Sequence, residues 1–383
     1  MTTPPPETDG TTSEEQADAP AGPPRPDWRR QLLIPGIVLG AVLLLVVVSF
    51  AVAGGDPQPR TRVATEPEPA VRSDAAADWM TAQLVRGALR DEERDEIDLD
   101  STVDLGLALI EAGGHDTEVA EISDAIEVQR VAYTIASRER LVGPSAKALL
   151  LLQLTDGDSA GLQGTLEQVA STDPAFPGRL RTSTLDEIGD VEGQVYGARA
   201  LVDAGSNRAD DVVSFLLDQQ CEEGYFRVGF SQLDSPNQTC DSDNGAPDTD
   251  VTALALLVLG PLAGEVRGVE RSMQAAADWL VTQQDADGLF EGGSLAEGDG
   301  ERANAVSTGL AARALGVWGE SDAASRAAAA VAGLQLAGGV DRGAVAYDAV
   351  DLADGEAYGL GVPPPGDWRR ATVQGIAALT WME

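Results

Sequence analysis

The chain reads as all-α, a ring of about six helical hairpins behind a single membrane-spanning helix. Three observations predict this. Ala75-Ala-Ala-Asp-Trp79-Met-Thr-Ala-Gln83 reappears as Ala275-Ala-Ala-Asp-Trp279-Leu-Val-Thr-Gln283, and self-similarity at a long period marks stacked supersecondary units. Six apolar segments close on an Ala-Leu pair, at Leu109, Leu149, Leu201, Leu256, Leu315 and Leu379, each read as the second helix of a hairpin. Hydrophobic residues make up 43% of the 383 positions but aromatics only 4%. The core is therefore built from Ala, Leu, Val and Ile, small enough for helices to pack closely.

The 63 acidic against 26 basic side chains give a formal charge of −37. That excludes a nucleic-acid partner, because displacing the counterions of a polyphosphate takes clustered cations. One histidine, His115, and one lysine, Lys147, remove most acid–base and metal chemistry centred on imidazole. The preference for Arg over Lys and the abundance of Ala and Gly point to a GC-rich bacterial genome.

In chain order, residues 1–30 are rich in Pro, Thr and Glu with no apolar period and read as a disordered cytoplasmic arm. Residues 31–53 hold an uncharged run from Leu32 to Ala53, which as a helix spans roughly 33 Å and matches a bilayer core. Arg25, Arg29 and Arg30 precede it, so the N-terminus is expected in the cytoplasm and the rest outside the cell membrane. A cleaved signal peptide ending at Ala51-Val52-Ala53 is the rival reading. Residues 54–73, with Pro57, Pro59, Pro67 and Pro69, read as a linker, and residues 74–383 as the ring. There, the second helices are rich in small residues and apolar around much of their circumference, which suits an inner layer packed on both flanks. Closure into a ring is thus favoured over an open solenoid. The first helices, with charges beside Trp79 and Trp279, suit the outer layer, and His115 after Gly113-Gly114 reads as a feature of a helix C-terminus, stabilised by the dipole. Cys221 and Cys240 are expected to pair in an oxidising compartment, closing a loop worth about 3 kcal/mol on the entropy model.

Gln220-Cys-Glu-Glu-Gly224-Tyr-Phe226 and Gln284-Asp-Ala-Asp-Gly288-Leu-Phe290 resemble the Gln-x-x-x-Gly-x-aromatic turn of the squalene-cyclase and prenyltransferase repeat superfamily. The resemblance implies an (α/α)6 toroid from about Ser73 to the C-terminus. Physically, the glycine permits a backbone reversal after the outer helix and the glutamine amide bonds backbone groups freed at helix ends, so these residues are expected to be scaffold.

Asp248-Thr-Asp250-Val251-Thr-Ala253 resembles the Asp-x-Asp-Asp-Thr-Ala segment of squalene-type cyclases, whose middle aspartic acid protonates an alkene. Asp250 falls on that position, with Asp248 as the neighbouring carboxylate. Val251 replaces the last Asp, and carbocation-stabilising aromatics are scarce. The alternative is that Asp250 N-caps an inner helix. The acids from Asp234 to Asp250 offer oxygens to Ca²⁺, but Gly245 stands one place early for an EF-hand and Thr252 replaces the bidentate Glu; no metal and no cofactor is expected. Asn304, Trp368 and Arg369, with Tyr225 and Phe226, are the candidates for a rim that binds a small molecule in the central funnel. Together these expectations describe a membrane-anchored, extracytoplasmic toroid that binds a small molecule without catalysis; the similar repeats of cobalamin-carrier proteins imply a corrinoid as one ligand class, and tethering to the membrane favours an isoprenoid or lipid as the other. The other reading is a class II terpene-cyclase-like enzyme using Asp250 as general acid.

Overall fold

The computed structural model describes residues 69–91, 94–136, 138–182, 191–240, 245–296, 302–361 and 364–382. The proposed arm and membrane span lie outside these residues. Thirteen α-helices occur among the described residues: α1 (Pro69–Thr81), α2 (Leu99–Ala112), α3 (Asp116–Thr134), α4 (Val142–Leu154), α5 (Ala160–Val169), α6 (Val191–Asp203), α7 (Ala209–Leu217), α8 (Thr249–Leu259), α9 (Val269–Gln283), α10 (Ala305–Trp318), α11 (Ser321–Gly333), α12 (Ala349–Tyr358) and α13 (Gly366–Ala378). None is long and apolar enough to cross a membrane.

All six segments that close on Ala-Leu become one inner layer: α2, α4, α6, α8, α10 and α13. Each packs on the next, and α13 packs back on α2, so the ring is closed. Helices α1, α3, α5, α7, α9 and α11 form the outer layer. The fold is an α/α toroid. Small side chains explain why an inner helix can be buried on every side: in α10 each residue from Ala305 to Gly316 is buried. In α4, Leu149, Leu151 and Leu152 are fully buried, and each such leucine contributes about 2 kcal/mol.

The Gln-Gly turns are scaffold. Gln220 Nε2 donates to Gly224 O at 2.7 Å and to Ser272 O on α9 at 2.8 Å; Gln284 Nε2 donates to Gly288 O at 3.1 Å and to Ala323 O on α11 at 3.0 Å. A third copy closes the ring, with Gln335 Nε2 donating to Gly343 O at 3.1 Å and to Arg72 O on α1 at 2.8 Å. Its glycine follows eight residues after the glutamine instead of four, which hid it from the motif. Each turn then hangs on the inner helix behind it: the amides of Phe226, Phe290 and Val345 donate to the hydroxyls of Thr252, Thr308 and Thr372 at 2.9, 3.0 and 2.9 Å. The seam gains a further bond from Ser73 Oγ to Ile376 O at 2.7 Å. The Cys221–Cys240 disulfide is formed, with Cα atoms 4.9 Å apart.

Four features depart from the sequence reading. Helix α1 starts at Pro69, inside the stretch read as linker, because a proline in a first turn needs no backbone donor. Helix α12 is additional, N-capped by Asp348, whose carboxylate accepts from the amides of Val350 and Asp351. Two short antiparallel pairs, β1–β2 (Leu89–Asp91 with Glu96–Asp98) and β3–β4 (Ile135–Ala136 with Glu139–Arg140), tie off loops. His115 does not end α2; it is the residue before α3, at the positive end of that helix, with Nε2 4.0 Å from Asp74 Oδ1.

Candidate functional site

The inner helices enclose a cavity of about 680 Å³. Each presents one stripe to it, as the three-to-four residue period of a helix requires: Asp100, Asp104, Leu107 and Glu111 on α2; Lys147, Leu150 and Leu154 on α4; Glu192, Tyr196 and Arg199 on α6; Leu254, Leu257 and Val258 on α8; Val306, Leu310, Arg313 and Val317 on α10; Arg369, Arg370, Val373 and Gln374 on α13. Two walls result. The side made by α2, α4 and α6 carries most of the charge, whereas α8 and α10 are mainly aliphatic and α13 adds Val373 with Arg369, Arg370 and Gln374.

Lys147, the one lysine of the chain, is the centre of the charged wall. Its Nζ lies 2.9 Å from Glu192 Oε1, 3.2 Å from Asp104 Oδ1 and 3.3 Å from Asp100 Oδ2. The Tyr196 ring stands 5.5 Å from the ammonium, and Tyr133 on α3 donates to Asp100 Oδ1 at 2.7 Å. Burial alone would pull the Lys147 ammonium down, but the carboxylates of Asp104, Glu192 and Asp100 outweigh it and hold the group well above its ordinary value. This lysine stays charged, so it is no imine-forming nucleophile. Burial pushes Asp104 up to about 7, against the pull of Lys147 and helped by the charges of Asp100 and Glu192. Deeper in, Arg313 pairs with Glu111 at 2.6 Å and donates to Gln374.

Of the residues nominated from sequence, Arg369 lines the cavity, with Nε donating to Gln83 Oε1 at 2.8 Å and NH1 to Arg90 O at 2.6 Å. The other four lie elsewhere. Phe226 is fully buried in the core, and Tyr225 packs on Trp279 with ring centroids 5.5 Å apart. Trp368 is buried against Gly355 of α12. Asn304 N-caps α10, accepting from Ser307 N at 2.9 Å.

Asp248, not Asp250, is the N-cap of α8: its Oδ1 accepts from Val251 N at 2.8 Å, and its Oδ2 from Ser294 N at 2.8 Å. Asp250 sits two residues further on, in the first turn of α8, and is fully buried, its Oδ2 accepting from Leu295 N at 3.0 Å and Ala296 N at 2.9 Å. The Gly293–Ala296 backbone is pressed so closely on this pair that a Cβ at Gly293 would stand 2.7 Å from Asp250 Cγ. Ser294 and Leu295 line the cavity; Asp250 lies behind them. Burial, more than the nearby charge of Asp248, raises the Asp250 carboxyl to about 6, while bonds from Ser307, Leu295 and Ala296 oppose the rise. The unfolded chain gives up this proton first, near the ordinary value of 3.8. Stability from the group is complete below that pH and is lost as pH rises through about 6. Asp250→Asn, which keeps an oxygen for the two amides, is expected to remove a fall in stability on the order of 2 kcal/mol between about pH 4 and pH 7; urea titrations of both proteins across that range measure it.

The residues proposed for Ca²⁺ divide: Asp241, Asp243 and Asn244 lie outside the described residues, Asp234 lies within them, and Asp248 and Asp250 accept from backbone amides. No group of three or more His, Cys, Asp or Glu placed to hold a metal occurs among the described residues. The charged wall itself escaped the sequence reading. Its signal was there: Lys147 is the only charge in α4, and an isolated cation in an otherwise apolar inner helix needs partners.

No protein-family model matches the sequence, and no curated protein matches it. Solved structures do match in fold. A protein from Actinoplanes is 17% identical, with a TM-score of 0.56 over 82% of this chain and 99% of that one. The type II terpene cyclase MstE from Scytonema is 12% identical, with a TM-score of 0.55 over 82% of this chain and 97% of that one. A possible member of the GH105 family from Salmonella enterica is 14% identical, with a TM-score of 0.54 over 86% and 98%. These likenesses show that the chain shares the α/α-toroid fold with a terpene cyclase and a GH105-type protein, and at such identities they speak for fold alone.

Proposed function

We infer that the protein is a membrane-anchored, extracytoplasmic toroid that binds an amphiphilic small molecule in its central cavity without transforming it. One observation carries this reading. The cavity of about 680 Å³ falls in the size range of small-molecule sites and joins an aliphatic wall to a few convergent polar groups. The isoprenoid or lipid class suits that wall best, because an apolar chain can lie along Leu254, Leu257, Leu310 and Val373. A corrinoid presents amides around its whole edge, and an aliphatic wall offers them no partners. Anchoring through residues 31–53 would keep the protein at a membrane, the source of such molecules. Native mass spectrometry of the full chain from its own host tests the reading. A retained small-molecule mass is expected, and it should be lost in Leu310→Trp, which fills the cavity. A folded ring that carries no mass and takes up no amphiphile would overturn it.

A second reading, a class II terpene-cyclase-like catalyst, has one observation in its favour: burial raises the Asp250 carboxyl to about 6, the direction an alkene-protonating acid requires. Asp248 is the neighbouring carboxylate in this reading. The Gly293–Ala296 segment has to leave Asp250 before substrate reaches it. Conversion of a polyprenyl substrate that disappears in Asp250→Asn with the fold intact would establish this activity; conversion unchanged in that variant would remove Asp250 from it.

A further inference from the structure

We propose that the central cavity takes an organic cation with an apolar body, an alkyl- or arylammonium, whose head group seats against Asp104, Asp100 and Glu192. This rests on reading the cavity as a binding site and names the head group of its ligand.

The charge balance of the wall comes first. Lys147 is one cation for three carboxylates, all within 3.3 Å of it, which leaves two negative charges in excess when all are ionised. Among the described residues, four of the other five cations lining the cavity are paired with acids outside the cluster, Arg94 with Asp91 at 3.0 Å among them. Arg313 is held by Glu111 at 2.6 Å, Arg199 by Asp203 at 2.7 Å, and Arg370 by Asp367 at 2.5 Å. Arg369 keeps its charge, its bonds going to the neutral acceptors Gln83 Oε1 and Arg90 O ahead of α2.

Depth decides which charge an incoming molecule meets. The Lys147 side chain is only 6% exposed, whereas Asp104 keeps 28%, Glu192 32% and Asp100 59%, and all four line the cavity. The ammonium is at the back and the carboxylates in front. A cationic head therefore meets its counter-charges before it meets Lys147, and an anionic head meets repulsion. The Tyr196 ring beside the cluster adds a π face for the same cation, and the opposite wall of Leu254, Leu257, Leu310 and Val373 covers the apolar body.

Burial, with the charges of Asp100 and Glu192 adding to it against the pull of Lys147, holds Asp104 up to about 7, so near neutral pH the cluster keeps a proton where a second cation is missing. The groups facing Asp104 are Asp100 on its own helix, Tyr133 from α3, Lys147 from α4, Glu192 and Tyr196 from α6 and Arg313 from α10, with Arg369 and Arg370 of α13 at the mouth. An ammonium that enters keeps its own protons, and Asp104 releases one to the buffer. Binding then tightens as pH rises toward about 7 and levels off above it.

The test is isothermal titration of the full chain with decylammonium, decanol and decyl phosphate at about pH 6 and about pH 8, in two buffers of different ionisation enthalpy. Decylammonium, protonated at both values, is expected to bind tightest, to release a proton at the lower pH, and to gain about tenfold in affinity per pH unit below the Asp104 titration. Decanol is expected to show no pH dependence. Asp104→Asn should abolish the pH dependence and weaken decylammonium relative to decanol. If that variant does not fold, Glu192→Gln replaces it, with weaker decylammonium binding as the expected result. Decanol or decyl phosphate binding as tightly as decylammonium would overturn the head-group assignment and leave the cavity reading standing. If none of the three saturates the protein, the cavity reading fails with it.

Discussion

Lys147→Met is expected to destabilise the fold by about 3 kcal/mol near neutral pH, because removing one member of a buried ion cluster leaves uncompensated charge. The side chain it replaces is 6% exposed and touches three carboxylates. The methionine matches the stem in length and fills the same space, so packing is not what is lost. The figure is kept to the low end of the range for buried pairs because Asp100 is 59% exposed and is screened by solvent. The sign of the pH dependence follows from the carboxylates. Without Lys147 their folded values rise further, so the folded state binds more protons than the unfolded one near neutrality, and the deficit shrinks as pH falls. Urea denaturation of both proteins at about pH 6 and about pH 8 checks this. Equal deficits at the two values would show that Lys147 does not neutralise the acids around it.

Gly343→Ala is expected to cost at least about 3 kcal/mol, the larger part of it from one steric contact. Gly343 has φ +102, and a Cβ there would stand 1.9 Å from Ala75 O and 2.4 Å from Ala75 C on α1. Backbone cannot give way as a flexible side-chain end can, so the last turn must lift off the first outer helix, taking the bond from Gln335 to Arg72 O with it. Gly319→Ala is the control. Its φ is +105, but nothing lies within 4 Å of the added carbon, so only the conformational cost of about 1 kcal/mol applies. A pair of thermal melts separates strain from clash. Similar losses in the two variants would mean that the seam between the last repeat and the first does not carry the ring's stability.

Much of this architecture is legible in one dimension because each repeat is assembled from local rules. The Ala-Leu segments mark the inner helices, since small apolar side chains are what a helix surrounded by neighbours can accommodate. The glutamine and glycine of the turns are spaced by the geometry of a single reversal, which is why the copies at Gln220 and Gln284 align while the one at Gln335, with a longer turn, does not. Asn304, read as a rim residue, instead makes a local contact, capping α10 through Ser307 N three residues away. Asp250 reads from sequence as an acid or as the N-cap of an inner helix, with Asp248 as its neighbour; the cap is Asp248, because which residue caps α8 depends on where the first helical turn begins.

The candidate site is different. Asp100 and Asp104, Lys147, and Glu192 and Tyr196 come from three separate repeats, and no spacing in the chain brings them together. Tyr225, Phe226 and Trp368 looked like site residues because aromatics are scarce, yet burial against Trp279, the core and α12 occupies them. From its sequence alone the protein was determined to be a helical-repeat chain, acidic, with one disulfide and an inner layer of small residues, because those properties follow from composition and from contacts between near neighbours. Only the tertiary structure decided that the ring closes, which stripe of each inner helix faces the cavity, and that the single lysine stands behind three acids, because these depend on the angle at which six helices meet.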